Sequence, residues 1–256
     1  MAYQNITLET KDGVARLTIN RPPANVMNYE TLVEMNAALE AVAKDPAAKV
    51  LLVRGSGNRA FSAGVEVKDH MGDRMPVTLR EFGKVFKALH TLGKPSIAVV
   101  NGVALGGGCE LAAGCDMVIA SDKAQFGQPE IKLGGLAPVA AALLPAIVGV
   151  KKAFEIVLLG ENFSAAEAER IGLVSKVVPD AELDKAADAI AAKFLQMTAL
   201  GLKLSRDAFY RAVDTAATEQ ALFVATEAGI KTWETTDSQE GLKAFLEKRS
   251  PVWKNQ

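Results

Sequence analysis

The sequence predicts an α/β fold, on three observations. Short apolar runs rich in β-branched residues recur through the first two-thirds of the chain, at Val50 to Gly55, Ile97 to Val100 and Met117 to Ala120, and they have the length of buried strands. Segments with apolar residues at helical spacing separate them. The last third, from Ala181 onward, is almost wholly helical in pattern.

The elements follow in order. Ile6 to Glu9 and Val14 to Ile19 are a predicted hairpin around Lys11-Asp12-Gly13, because Asp-Gly favours the tight turns that join antiparallel strands. Tyr29 to Ala43 carries Leu32, Met35, Leu39 and Val42 on one helical face. After the strand Val50 to Gly55, the Gly- and Ser-rich segment Gly55 to Lys68 reads as a loop at a strand end, where α/β proteins place ligands. Thr78 to Leu92 is a predicted helix stopped by Lys94-Pro95. The strand Ile97 to Val100 leads to a helix from Cys109 to about Val118, and Met117 to Ala120 is the next strand. Phe126 to Glu130 is non-helical, since Pro129 holds the residue before it extended. Ala137 to Val148 is a helix starting near Pro138, and Lys152 to Leu159 is a helix ending at Gly160. Ser164 to Glu167 forms a capping box, and Leu173 to Val178 is a strand. Helices are then expected at Ala186 to Phe194, Leu202 to Val213, Leu222 to Thr232 and Gly241 to Lys248. This helical tail either packs on a neighbouring subunit or folds back on its own core.

Composition narrows the function. A chain of 256 residues is one large domain, or one with a short appendage. A net charge of −1 gives no electrostatic basis for binding nucleic acid or a membrane surface, so neither partner is expected. Cys109 and Cys115 share one predicted helix, and the only histidines are His70 and His90. Structural thiols are expected rather than a metal site. Residues 1–13 show neither the apolar core of a secretion signal nor an Arg-rich transit pattern. The apolar run from Ala137 is broken by Pro138, Pro145 and Gly149. The expected compartment is the cytoplasm.

The chemistry is concentrated in Ser96 to Asp116. A buried strand there feeds Gly106, Gly107 and Gly108, and a small-residue helix opens behind them. Glycines allow close approach to the main chain, and the first amides of a helix lack intrahelical acceptors. Such a turn suits an anion or a developing oxyanion. No Lys-Ser/Thr pair follows the glycines, and no G-x-G-x-x-G spacing is present, so neither a P-loop nor a dinucleotide fingerprint is read. Glu110, in the first turn of that helix, either complements the helix dipole or moves a proton. Glu130 is either a loop surface acid or the partner of Glu110. The glycine turn, Phe61 to Val65 and Gln125 to Glu130 each follow a predicted strand, and a parallel sheet would bring them to one edge.

The motifs FSAG (Phe61 to Gly64), NGVALGGGCELA (Asn101 to Ala112), FGQPEIKLG (Phe126 to Gly134), SAAEAERIGLVSKVV (Ser164 to Val178) and the tail EGLKAFLEKRSPVW from Glu240 resemble, in order and spacing, the crotonase superfamily of enoyl-CoA hydratases and isomerases. The resemblance implies a spiral of ββα repeats over residues 1–195 and a C-terminal helical trimerisation region over 196–256. It implies a homotrimer or homohexamer and an acyl-CoA substrate, with no cofactor beyond the coenzyme A that the substrate carries. It assigns the backbone N–H groups of Val65 and Gly107 to the thioester oxygen, each such donor being worth roughly 3–4 kcal/mol to a developing oxyanion. It assigns water addition to Glu110 and Glu130, without saying which is acid and which base.

By the same resemblance the coenzyme A moiety lies along Arg59, Ala60, Ala63, Gly64, Glu66, Lys68 and Gly106, with Phe245 and Lys248 of the tail reaching it. Lys68 and Arg21 either meet its phosphates or are solvated surface charges. His70, Leu136 and Pro138 are expected to wall the acyl pocket, with Asp69 at its mouth. Pro138 departs from the usual glycine-rich segment and has no N–H to hold a water. That variant, with Lys68 to Met71 and Leu144-Pro145, resembles hydratases of cyclohexa-1,5-diene-1-carbonyl-CoA in aromatic degradation. The alternatives are a general short-chain enoyl-CoA hydratase, an isomerase, a thioester hydrolase, or a non-catalytic crotonase-like binding protein.

Overall fold

Two sheets share the chain, and each of three successive central turns of the backbone contributes a strand to both. The structure, a computed structural model, describes residues 3–70, 74–133, 135–213, 236–237, 240, 244, 247 and 249–254. It opens with a hairpin of β1 (Ile6–Lys11) and β2 (Val14–Ile19), paired antiparallel from Ile6↔Ile19 to Lys11↔Val14. Asp12 and Gly13 both take positive φ at its turn, as the Asp-Gly pair predicts. After helix α1 (Tyr29–Lys44) come three turns of strand, strand, helix. The first is β3 (Val50–Gly55), β4 (Ala60–Ser62) and α2 (Arg74–His90). The second is β5 (Ser96–Val100), β6 (Val103–Leu105) and α3 (Gly107–Ala113). The third is β7 (Met117–Ser121), β8 (Gln125–Gly127) and the helix pair α4 (Pro138–Val148) and α5 (Val150–Leu159). The chain continues through β9 (Asn162–Ser164), α6 (Ala165–Arg170), β10 (Lys176–Val178), α7 (Leu183–Leu195) and α8 (Ala199–Val213).

One sheet has the order β1-β2-β3-β5-β7-β10, the other β4-β6-β8-β9. From β2 to β10 the larger sheet is parallel, and β4, β6 and β8 run parallel in the smaller one. Alternation along the central strands explains why they read as continuous apolar runs. Leu51, Val53, Ala98, Val100 and Ala120 face the main core with α1 and α2. Val50, Leu52, Ile97, Val99 and Ile119 face a second core closed by Leu183, Ala187 and Ala191 of α7. Both faces are covered, as parallel sheets require.

The smaller sheet corrects the sequence reading. Gly55 to Lys68 and Phe126 to Glu130 read as non-regular, yet β4 lies in the first and β8 runs into the second. These strands have three residues each, too few for a period-2 pattern to show. Helix α3 ends at Gly114 rather than near Val118, which frees Met117 to begin β7.

Helix α8 lies against its own chain. The buried Arg206 guanidinium donates from Nε to Asp116 Oδ2 (2.9 Å), from Nη1 to His90 O (2.7 Å) and from Nη2 to Leu89 O (2.6 Å). The Tyr210 hydroxyl donates to the same carboxylate. Asp116 also accepts from Ser96 N (2.7 Å) at the start of β5, so the clamp sits at the amino ends of the strands. The expected helix Leu222 to Thr232, and Phe245 and Lys248, lie outside the described residues. Among the described residues no helix is long and apolar enough to cross a membrane.

Candidate active site

The three predicted segments meet at the carboxyl ends of three neighbouring parallel strands. Ala63-Gly64-Val65 follows β4, Gly106-Gly107 follows β6, and Gln128-Pro129-Glu130 follows β8. The Gly106 amide ties the second to the third by donating to Gly127 O (2.9 Å). The expected shared edge is therefore present, but it belongs to the smaller sheet.

Main-chain geometry brings two amides together. Met27 N donates to Gly64 O and Glu66 N to Met27 O, each at 2.9 Å, which is a parallel bridge between Met27 and Val65. In such a bridge the Val65 N–H points to the opposite side. Gly107 opens α3, so its N–H has no intrahelical acceptor. Among the described residues neither amide has a hydrogen-bond acceptor. A Cβ on Gly64 would lie 3.5 Å from the Gly107 nitrogen, and one on Gly107 only 2.8 Å from Val65 Cγ2. The two donors are thus adjacent. Ser62 supports the turn between them by accepting from Gly64 N (3.2 Å) and donating to Asn25 O (2.8 Å).

Glu110 stands behind these amides and is only 2% exposed. Its Oε1 accepts the Ala140 N–H at 2.7 Å, near the start of α4. Burial is the main influence on it and pushes its pKa up from the ordinary 4.5 to about 7. The Ala140 amide opposes that rise, the negative Glu130 adds to it, and the Val139 amide opposes it. Between those two pH values the folded chain keeps a proton on Glu110 that the unfolded chain has released, so stability falls as pH rises through that window. At about 1.4 kcal/mol per unit, the charge on Glu110 costs the fold about 3 kcal/mol above pH 8. Glu110→Gln should therefore raise the urea midpoint at pH 8 and leave it unchanged near pH 4.5. An equal shift at both pH values would show that Glu110 carries no such cost.

Glu130 faces the same space. A Cβ on Gly106 would sit 2.8 Å from Glu130 Oε1, while the Gly106 carbonyl accepts the Glu110 N–H at 2.9 Å. Gly106 therefore separates the two acids, and its φ of 53° with ψ of −128° is open only to glycine. The fully buried Gln128 has its amide against Glu130; with the nitrogen assigned to that side, it donates to Oε2 at 3.1 Å and Oε1 at 3.3 Å. Cys109, buried beside Gly127 and Gln128, has its thiol pushed up to about 12 by burial, so it stays protonated as a structural thiol.

The remaining predicted residues divide. Arg59, Ala63 and Lys68 are exposed along the loop, Ala60 and Gly64 are buried in it, and Glu66 is half-buried. Leu136 is 70% exposed and Pro138 is exposed at the first position of α4. A proline costs nothing there, since that N–H has no intrahelical acceptor, and the next amides are spent on Glu110. The His70 side chain lies outside the described residues. Asp69, expected at the pocket mouth, is buried at 2% exposure and bonded to the main chain of α1. Local sequence does not mark Ala140 or Phe82, whose Cζ crowds Gly107, as parts of this site; Gln128 has a local signal in the loop around Pro129.

A profile of the Enoyl-CoA hydratase/isomerase family matches residues 9–256. The chain belongs to that family. Family members similar to it include a crotonyl-CoA hydratase of Syntrophomonas wolfei, 42% identical over 97% of both chains, and a short-chain-enoyl-CoA hydratase of Clostridium acetobutylicum, 39% identical over 97% of both. Among solved family structures, an enoyl-CoA hydratase of Bacillus anthracis superposes with a TM-score of 0.93 at 30% identity, covering 99% of this chain and all of that one. The ββα spiral is thus the crotonase fold of the enoyl-CoA hydratase/isomerase family.

Proposed function

We propose that this chain is a hydro-lyase that adds water across the α,β double bond of an acyl-CoA thioester. The observation that carries the reading is the pairing of two adjacent amides, Val65 and Gly107, which have no acceptor among the described residues, with two acids on either side of Gly106. Hydration builds negative charge on the thioester oxygen, and preorganised donors in a dry site stabilise it. Glu130 lies one residue from the Gly107 amide, and the α-carbon is bonded to the thioester carbonyl carbon, so Glu130 delivers the α-proton. Glu110 takes a proton from the water whose oxygen attacks the β-carbon. Hydroxyl and hydrogen are added, and the acids exchange their proton before the next cycle. Coenzyme A lies along the Arg59 to Lys68 loop as part of the substrate, and no separate cofactor takes part. The compartment is cytoplasmic. A homotrimer or homohexamer forms through residues 196–256, helped by the exposed apolar face of Val150, Phe154 and Leu158 on α5.

For the acyl group, the Leu136 to Pro138 segment supports a cyclic dienoyl thioester of the cyclohexa-1,5-diene-1-carbonyl type. The second reading, a short-chain enoyl-CoA hydratase, is supported by the crotonyl-CoA and short-chain hydratases at 42% and 39% identity. An absorbance assay with both substrates separates them. Fast hydration of the cyclic diene with little turnover of crotonyl-CoA supports the first. The reverse supports the second, and hydration of neither removes both.

A further inference from the structure

Asp69 belongs to neither acid pair nor pocket wall, yet it is a buried carboxylate four residues from an oxyanion donor. Its Oδ2 accepts the Tyr29 N–H at 2.8 Å, and its Oδ1 accepts from Arg74 Nη1 at 3.1 Å. Its own N–H donates to Glu66 O at 3.0 Å. Met27, two residues before Tyr29, is bonded on both sides of Val65 through Gly64 O and Glu66 N. These bonds close a small ring: Met27 to Tyr29 on one side, Gly64 to Asp69 on the other. Val65 lies inside the ring, and its amide is aimed away from it. Three of the ring's four bonds are main chain to main chain. The one that depends on a side chain is Asp69 to Tyr29.

The bond suits its place. Tyr29 is the first residue of α1, and its N–H is one that the helix cannot satisfy. A carboxylate there also complements the positive end of the helix dipole. Arg74 at the start of α2 holds the second oxygen and bridges to Glu30 Oε1 at 3.0 Å. Asp69 thus joins the ends of α1 and α2 to the segment that carries Val65.

We infer that Asp69 is a positioning residue for the reaction: by bonding the Tyr29 amide it fixes the direction of the Val65 N–H toward the thioester oxygen. The inference rests on the hydratase reading above. A misplacement of about 1 Å at a catalytic group costs on the order of 100-fold in rate, while the binding of the coenzyme A moiety does not depend on that amide.

The test uses the full-length protein and 4-(dimethylamino)cinnamoyl-CoA, a chromophoric unsaturated thioester whose absorption shifts red when its carbonyl is polarised. Wild-type protein should shift it. Asp69→Ala should lose most of the shift and about 30–100-fold in kcat, with KM within about twofold. Asp69→Asn, which keeps one acceptor for Tyr29, should recover most of both. A second variant reaches the same bond from the other side. Tyr29→Pro deletes the N–H at a helix position that favours proline, and Asn28 before it is already extended, at φ −83° and ψ 174°. It should match Asp69→Ala, whereas Tyr29→Ala keeps the amide and the shift. Glu34→Gln, which loosens α1 from Gln4 and Asn5, controls for stability alone and should keep the shift. The inference fails if Asp69→Ala keeps the wild-type shift and kcat, or if Tyr29→Pro behaves as Tyr29→Ala. No shift with the wild-type protein would instead remove the hydratase reading itself.

Discussion

Glu110→Gln and Glu130→Gln should each lower kcat by about 10²–10⁴-fold, the range that a positioned acid or base contributes. Both substitutions preserve shape. Glutamine at 110 still offers an oxygen to the Ala140 N–H, and glutamine at 130 still meets the Gln128 amide. The loss would be one of proton transfer rather than of folding, and circular dichroism and substrate KM should stay near wild type. The two changes should not add, because each acid is useful only with the other in place. The double variant should fall little below the worse single one. An activity that survives either substitution would leave the two-acid mechanism without support.

The pH profile assigns the roles. If Glu110 is the base, it must be ionised in the free enzyme, and its pKa of about 7 sets the limb. Then kcat/KM falls as pH drops below about 7. If Glu110 were the acid, kcat/KM would fall as pH rises past the same value. Burial sets this pKa against the opposing pull of the α4 amides, and the same burial destabilises the folded protein above neutral pH. Activity and stability therefore trade against each other at one residue, and Glu110→Gln should move them in opposite directions at pH 8.

The candidate site's main segments are legible because they are written in local sequence. The three glycines, Glu110 behind them and Glu130 after a fixed proline are contiguous signals, and the long apolar runs show the larger sheet. The smaller sheet was not legible. Its strands have three residues each and adopt extended form because β4, β6 and β8 pair with one another, which is a tertiary cause. The burial of Asp69 was not legible either, because only the distant Tyr29 amide explains it. Pro138 read as a lost donor, whereas at the first position of α4 it removes an amide that the helix could not have satisfied.

Gly108→Ala should be severely damaging for so small a substitution. A Cβ there would lie 2.1 Å from Ser62 O and 2.8 Å from Ser62 C. These are backbone atoms at the end of β4, and they cannot swing aside as a side chain can. Ser62 is held further by its bonds to Asn25 and Gly64. Relief would need α3 and β4 to separate, which would also part the Gly107 amide from the Val65 amide. A loss of at least about 4 kcal/mol is expected, with activity falling further than stability alone explains. Gly83, exposed in α2, has nothing within 4 Å of a Cβ, so Gly83→Ala should stabilise by about 0.5–1 kcal/mol through helix propensity. Urea titration of the pair isolates contact from chain entropy, since the chemical change is the same. If Gly108→Ala were as benign as Gly83→Ala, the close approach of α3 to β4 would be wrong, and with it the placement of the Val65 and Gly107 amides.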